Sequence, residues 1–121
     1  SHPVWPLALE YLDLVHAGKM DAAKKLATAD VQAKWETEPA SEKAESLKFL
    51  RANLPTRAEV AEAVKDGGAL RGVLIVENDT QATLNLIRTE RREEGPGQMT
   101  VSSTTTTIAF AKENGTWRLA Q

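Results

Sequence analysis

The sequence predicts an α+β domain: N-terminal helices packed in the concave face of a curved, mainly antiparallel sheet of about four strands. Three observations carry that expectation. Up to Asp66, apolar residues recur at helical spacing. From Ala69 onward the period falls to two and β-branched residues dominate. Turn signals then divide the second half, at Asn78-Asp79, at Gly95-Pro96-Gly97 and at Asn114-Gly115. The 121 residues make one domain, 1–121, long enough to bury a core without disulfide or metal.

The first helix is expected from Pro6 to Ala17. Leu7, Tyr11 and Leu14 share a face that Ala8, Leu12 and Val15 widen, with Glu10 and Asp13 opposite and His16 at their edge. Pro6 suits a first helical turn, and Gly18 suits the left-handed position just past a helix end. A short second helix, Met20 to Ala27, turns Ala22, Ala23 and Leu26 inward. The stretch Thr28 to Ala40 reads as irregular, anchored by Val31 and Trp35. Ser41 is the expected N-cap of a third helix to Asn53, with Leu47, Leu50 and Leu54 on its buried side and Pro55 as its stop. Thr56-Arg57-Ala58-Glu59 has the form of a capping box. It opens a fourth helix that turns Val60, Ala63 and Val64 inward and ends at Asp66-Gly67-Gly68, although residues 58–64 also alternate weakly, as an edge strand would.

Leu70 to Val76 is the first strand, followed by a two-residue hairpin turn in which Asn78 and Asp79 tolerate positive φ. The return strand alternates Ala82, Leu84 and Leu86 with Thr83, Asn85 and Ile87. Arg91 to Gln98 reads as a loop, and a long third strand runs from Met99 to Lys112. After Asn114-Gly115 the last strand sets Trp117 and Leu119 on one face. In the third strand Met99 and Val101 are out of phase with Ile108 and Phe110. A β-bulge between Ser102 and Thr107 would bring both pairs to the core and bend the sheet strongly.

The segment Tyr11-Leu12-Asp13-Leu14-Val15-His16-Ala17-Gly18-Lys19-Met20-Asp21-Ala22-Ala23 resembles the opening helix, Gly-Lys/Asp, helix signature of the nuclear-transport-factor-2-like superfamily. The hairpin Val76 to Leu84 is similar to that superfamily's. So is the close Lys112-Glu113-Asn114-Gly115-Thr116-Trp117-Arg118-Leu119, a K-x-x-G-x-W-x-hydrophobic ending of its small exported and lipoprotein members. The resemblance covers most of the chain. It implies a cone-shaped pocket inside the sheet. The superfamily holds enzymes such as ketosteroid isomerase, scytalone dehydratase and limonene epoxide hydrolase beside catalytically silent binding and accessory domains, so fold does not settle function.

Composition narrows the function classes. A net charge of −2 and a pI near 5.7 give no field that would steer nucleic acid or an anionic membrane to the chain. With no cysteine there are no disulfides, thiolate nucleophiles or zinc–sulfur sites. The longest apolar runs, such as Gly72 to Val76, are far below the roughly 20 residues that span a bilayer. The chain opens at Ser1, and the expectation is that a segment upstream was removed, a signal or lipoprotein leader among the candidates. A periplasmic or secreted protein is therefore expected over a cytoplasmic one.

No catalytic constellation is expected. Glu77, Glu90 and Glu113 lie at strand ends or turns, leaving the inner strands without a carboxylate base. His16 reads as a residue of a solvated helix end, and His2 as terminal and mobile. Two distant histidines give no metal spacing, and neither metal nor cofactor is expected. Arg88, Arg91 and Arg92 with Glu90, Glu93 and Glu94 form a mixed, solvated cluster. The candidate ligand-binding residues are Tyr11, Trp35 and Trp117. Tyr11 is either a phenol donor in the pocket or a core-edge tyrosine bonded to a carbonyl or water. Trp35 could rim the pocket mouth, and Trp117 packs inside the sheet. The favoured function is a non-enzymatic, exported binding or accessory domain that uses either the cone-shaped pocket, for a small apolar ligand, or the sheet face. The alternative is an isomerase, dehydratase or hydrolase with Tyr11 as donor. A homodimer through the outer sheet face, with Thr83, Asn85, Ile87, Thr104 and Thr106, is compatible with either.

Overall fold

The computed structural model describes residues 2–66 and 69–121, the side chains of 64–66 excepted. Helix α1 (Val4–His16) buries Val4, Ala8, Tyr11, Leu12 and Val15, the stripe that 3.6-residue periodicity demands. Gly18 takes the left-handed conformation after it, at φ +73°. Helix α2 (Met20–Lys24) is shorter than expected. The last strand captures the residues after it: Leu119 N–H donates to Leu26 O at 2.8 Å, and Thr28 N–H to Leu119 O at 2.9 Å.

The stretch expected to be irregular forms helix α3 (Ala29–Thr37). Thr28 caps it by accepting from Val31 N–H, and Gln32 Nε2 donates to Ala27 O at 2.8 Å. Glu38 ends it in extended conformation, as a residue before proline prefers. In α4 (Ala40–Asn53) the cap position belongs to Pro39, so Ser41 lies inside the first turn rather than at the N-cap. The capping box of α5 (Arg57–Asp66) forms as expected. Glu59 N–H donates to Thr56 Oγ1 at 3.1 Å, and Thr56 N–H to Glu59 Oε1 at 3.2 Å. The Val64 side chain and Gly67-Gly68 lie outside the described residues.

Strands β1 (Leu70–Asn78), β2 (Gln81–Gly95), β3 (Gln98–Glu113) and β4 (Thr116–Leu119) form an antiparallel meander in sequence order. Even-numbered residues of β1–β3 turn toward the helices, burying Leu70, Ala82, Leu84, Leu86, Ile108 and Phe110 against α1. Leu119 on β4 opposes Phe110 and closes the core.

The sheet departs from expectation in four places. The register of β2 against β3 is continuous from Gln81↔Ala111 to Glu93↔Met99, so no bulge separates Ser102 from Thr107. Met99 and Val101 therefore stay on the outer face, 63% and 57% exposed. The segment 91–98 is strand rather than loop, interrupted by a register shift between Glu93 and Gly95 and by a tight turn with Gly97 at φ +76°. Its charged residues hide the strand because no core lies over it to impose alternation. Among described non-glycine residues only Asn114 has positive φ, so the first hairpin turns otherwise. There Asn78 Oδ1 accepts from Thr80 N–H at 2.9 Å. Lastly, the Cα pairing sets Thr104 and Thr106 on the inner face, away from Thr83, Asn85 and Ile87.

His16 and His2 are both tied down. His16 Nε2 donates to Leu54 O at 3.0 Å and Pro55 O at 3.1 Å, pinning the end of α1 to the α4–α5 joint. The expectation of a merely solvated histidine misses this because the partners are 38 and 39 residues away. Replacing His16 with Ala should lower unfolding free energy by about 1–2 kcal/mol in urea titration, two half-buried carbonyls losing their donor. No measurable change would show the contact to be dispensable. The His2 ring meets Trp117 edge-on at 5.1 Å, and its Nδ1 accepts from Val4 N–H at 3.2 Å.

Candidate functional site

No residue of α3 or α4 is buried, so this helical pair leans beside the core instead of closing over it. The gap is a cleft of about 630 Å³ between α4, α2 and the inner face where β3 meets β4. That volume lies inside the range of small-molecule sites. Its apolar wall is made by Met20, Leu50, Leu54, Ile108 and Leu119, and Tyr11, Trp35 and Phe49 add aromatic surface.

Tyr11 is the distinctive group. Its place on the buried stripe of α1 leaves the side chain only 6% exposed. Even so it lines the cleft. No hydrogen bond joins its hydroxyl to any described residue, and no described buried side-chain oxygen or nitrogen is both sealed from solvent and unpartnered. The phenol therefore looks into the cleft with a free donor. Burial pushes its pKa up to about 12, so it stays protonated through the physiological range.

The charged groups stand farther out. Asp21, Lys43 and Glu45 are exposed lining residues, and Lys24 is drawn aside to Glu36 at 3.0 Å. Glu38 Oε1 accepts from Ser46 Oγ at 3.2 Å. The residues lining the cleft include neither histidine, and no described His, Asp and Glu residues cluster in a way that could hold a metal.

Of the three residues singled out from sequence, the cleft brings together Tyr11 and Trp35. Trp117 is not among its lining residues. It opposes Lys112, two pairs beyond Phe110↔Leu119, and so packs at the edge of the core under the His2 ring with Lys112 Nζ 5.9 Å from the ring centroid. Sequence reasoning missed Phe49 and the carboxylates Asp21, Glu38 and Glu45. Phe49 leaves one signal in the sequence, an aromatic beside Leu50 on an otherwise polar helix, and it is 65% exposed. The carboxylates leave none, being indistinguishable from a solvated helix face.

No protein-family model and no curated protein matches the chain. Among solved structures, a Campylobacter jejuni protein described as a "Putative NTF2-like transpeptidase" is similar over 99% of each chain, with 12% sequence identity and a TM-score of 0.45. A likeness that distant transfers no chemistry. Helices ahead of a long antiparallel sheet that carries them on one face is the layout the sequence resemblance implies. The chain has that layout.

Proposed function

We propose that this chain is a non-enzymatic binding or accessory domain whose cleft takes a small, largely apolar molecule bearing one hydrogen-bond acceptor. The observation that carries the reading is the Tyr11 hydroxyl, nearly buried, free of a described protein partner and set in an apolar-walled cleft. A donor that opens onto an apolar-walled cleft is placed to bond a ligand acceptor in exchange for water. Trp35 and Phe49 offer flat surfaces for the ligand body. Binding is favoured over catalysis because the cleft carboxylates are rim groups and no hydrogen bond links one to Tyr11. A periplasmic or secreted setting belongs to the same proposal and rests on the similarity of the closing segment to exported proteins. Cell fractionation that recovers the protein from the cytoplasm would overturn that part.

Native mass spectrometry of the purified protein, gentle and then under ligand-stripping conditions, tests the cleft. The wild type should carry a co-purified small molecule that leaves on stripping. Ser46→Trp, which plugs the cleft from the exposed side of α4, should carry none. A wild type that is bare throughout would instead favour an accessory domain acting through its surface, and turnover of the retained molecule would favour the enzyme.

A further inference from the structure

Strand β3 has one edge that is only partly used. β4 pairs with it from Phe110 to Glu113, and the chain end continues the cover. Ala120 N–H donates to Ala109 O at 2.8 Å, and Gln121 Nε2 to Thr107 O at 3.2 Å. From Thr106 back to Gln98, no backbone hydrogen bond from another described residue reaches that edge. Since Thr107 and Ala109 direct their carbonyls to this side, antiparallel alternation directs the N–H and C=O of Met99, Val101, Ser103 and Thr105 the same way. Four consecutive outward residues are thus unpaired.

A free edge of this length is usually guarded by charge, proline or a bulge. Here Gln98 to Thr107 contains no charged residue, no proline and no glycine, and the register against β2 is unbroken from Met99 to Thr107, the shift between Glu93 and Gly95 lying on the other strand beside the turn. Strand β2 offers the contrast. Beyond Thr89, whose N–H donates to Ala69 O at 2.7 Å, the edge that no other described strand pairs carries Glu90, Arg91, Arg92, Glu93 and Glu94. One edge of the same arm is guarded and the other is not. The arm's outer face also leaves Met99 and Val101 largely exposed. A two-stranded ribbon extending past its core is marginally stable in water, and another strand would support it.

We infer that the 98–106 edge of β3 pairs with the same edge of a second copy of this chain, antiparallel and about a two-fold axis. Identical antiparallel strands set like residues near like, which penalises charged sequences and leaves this uncharged one without repulsion. The free stretch Gln98–Thr106 is centred on Ser102, and an axis there uses all of it. Met99 then faces Thr105 of the second copy, Val101 faces Ser103, and Ser102 faces itself. Every outward group finds a partner, in roughly eight backbone hydrogen bonds, and the two sheets become one of eight strands with no unguarded edge at the join. The same register sets Gln98 of the second copy beside Thr106 on the cleft wall, so each arm ends at the rim of the other copy's cleft.

Size-exclusion chromatography with light scattering, over a micromolar-to-millimolar series, tests this. The wild type should approach twice 13.2 kDa. Ser103→Pro removes one outward N–H and keeps the ladder to β2, so it should weaken dimerisation at least ~10-fold, two hydrogen bonds per dimer being lost. Ser102→Lys should weaken it similarly by opposing two ammonium groups on the axis, and it keeps every backbone donor. If Ser103→Pro loses its sheet circular dichroism when dilute, Ser102→Lys decides alone. A wild type that stays at the monomer mass throughout, free for a strand from some other protein, would overturn the inference. So would a dimer unaffected by Ser102→Lys, which would set the interface elsewhere, such as the outer face.

Discussion

Replacing Phe110 with Ala should lower the unfolding free energy by about 3–5 kcal/mol, the range for a buried phenylalanine emptied to alanine. Phe110 is 2% exposed, on the inner face of β3, opposite Ala82 on β2 and Leu119 on β4. It therefore stands where the sheet, α1 and the captured 26–28 segment converge. Loss of its ring opens a cavity that three elements would have to collapse to fill, and the β2–β3 ladder resists that movement. Domains of this size have about 5–15 kcal/mol in all, so the loss is a large share of the total. Urea denaturation followed by circular dichroism gives the value. A change below about 1 kcal/mol would mean that Phe110 is not the centre of this core.

The second large effect appears only at alkaline pH. Tyr11 is the single tyrosine of the chain, so tyrosinate absorbance reports on it alone. Burial raises its pKa from the ordinary 10.0 to about 12. Below pH 10 the phenol is protonated in both the folded and the unfolded chain, and this group contributes no pH dependence. Between pH 10 and about 12 the unfolded chain releases the proton while the folded one holds it. Stability should then fall by about 1.4 kcal/mol per pH unit, about 2–3 kcal/mol in total, through this group. Comparison with Tyr11→Phe isolates the effect from lysine titration. The variant should lack that alkaline loss and, at neutral pH, be as stable as the wild type or slightly more so, because a buried hydroxyl without a partner contributes nothing to the fold. A native titration midpoint near 10 would contradict the burial of Tyr11, and a clear neutral-pH loss in Tyr11→Phe would reveal a structural bond to its hydroxyl.

The sequence is legible where a core imposes its period. The Ala82-Leu84-Leu86 alternation and the Thr56–Glu59 box appear in the structure as read, and so does the α1 stripe, centred on Ala8, Leu12 and Val15 with Leu7 and Leu14 at its margin. Reading fails where no core stands behind the residues. Helix α3 has no fully buried residue, and Val31, which packs at the core's margin, with Trp35 one turn on and the Thr28 cap are too few to declare a period. The 91–98 segment pairs through its backbone with polar side chains on both faces, a pattern that looks like a loop. A bulge follows from the sequence only if Met99 and Val101 need burial. They stay exposed on the outer face of the sheet, opposite the helices. The site follows the same rule. Tyr11 and Trp35 were visible as aromatics on or near apolar faces, whereas Phe49 and the rim carboxylates share a cleft only because α4 leans away from the sheet.

The most direct test of Tyr11 as a ligand donor is a titration with prodan, a neutral naphthyl ketone whose emission reports hydrogen bonding at its carbonyl. Wild-type protein should bind it saturably. Tyr11→Phe should bind about three- to tenfold more weakly, with emission shifted toward that of a carbonyl without a donor, as the loss of one neutral hydrogen bond implies. Equal affinity and identical emission in the two proteins, or no binding by the wild type, would contradict the role given to Tyr11.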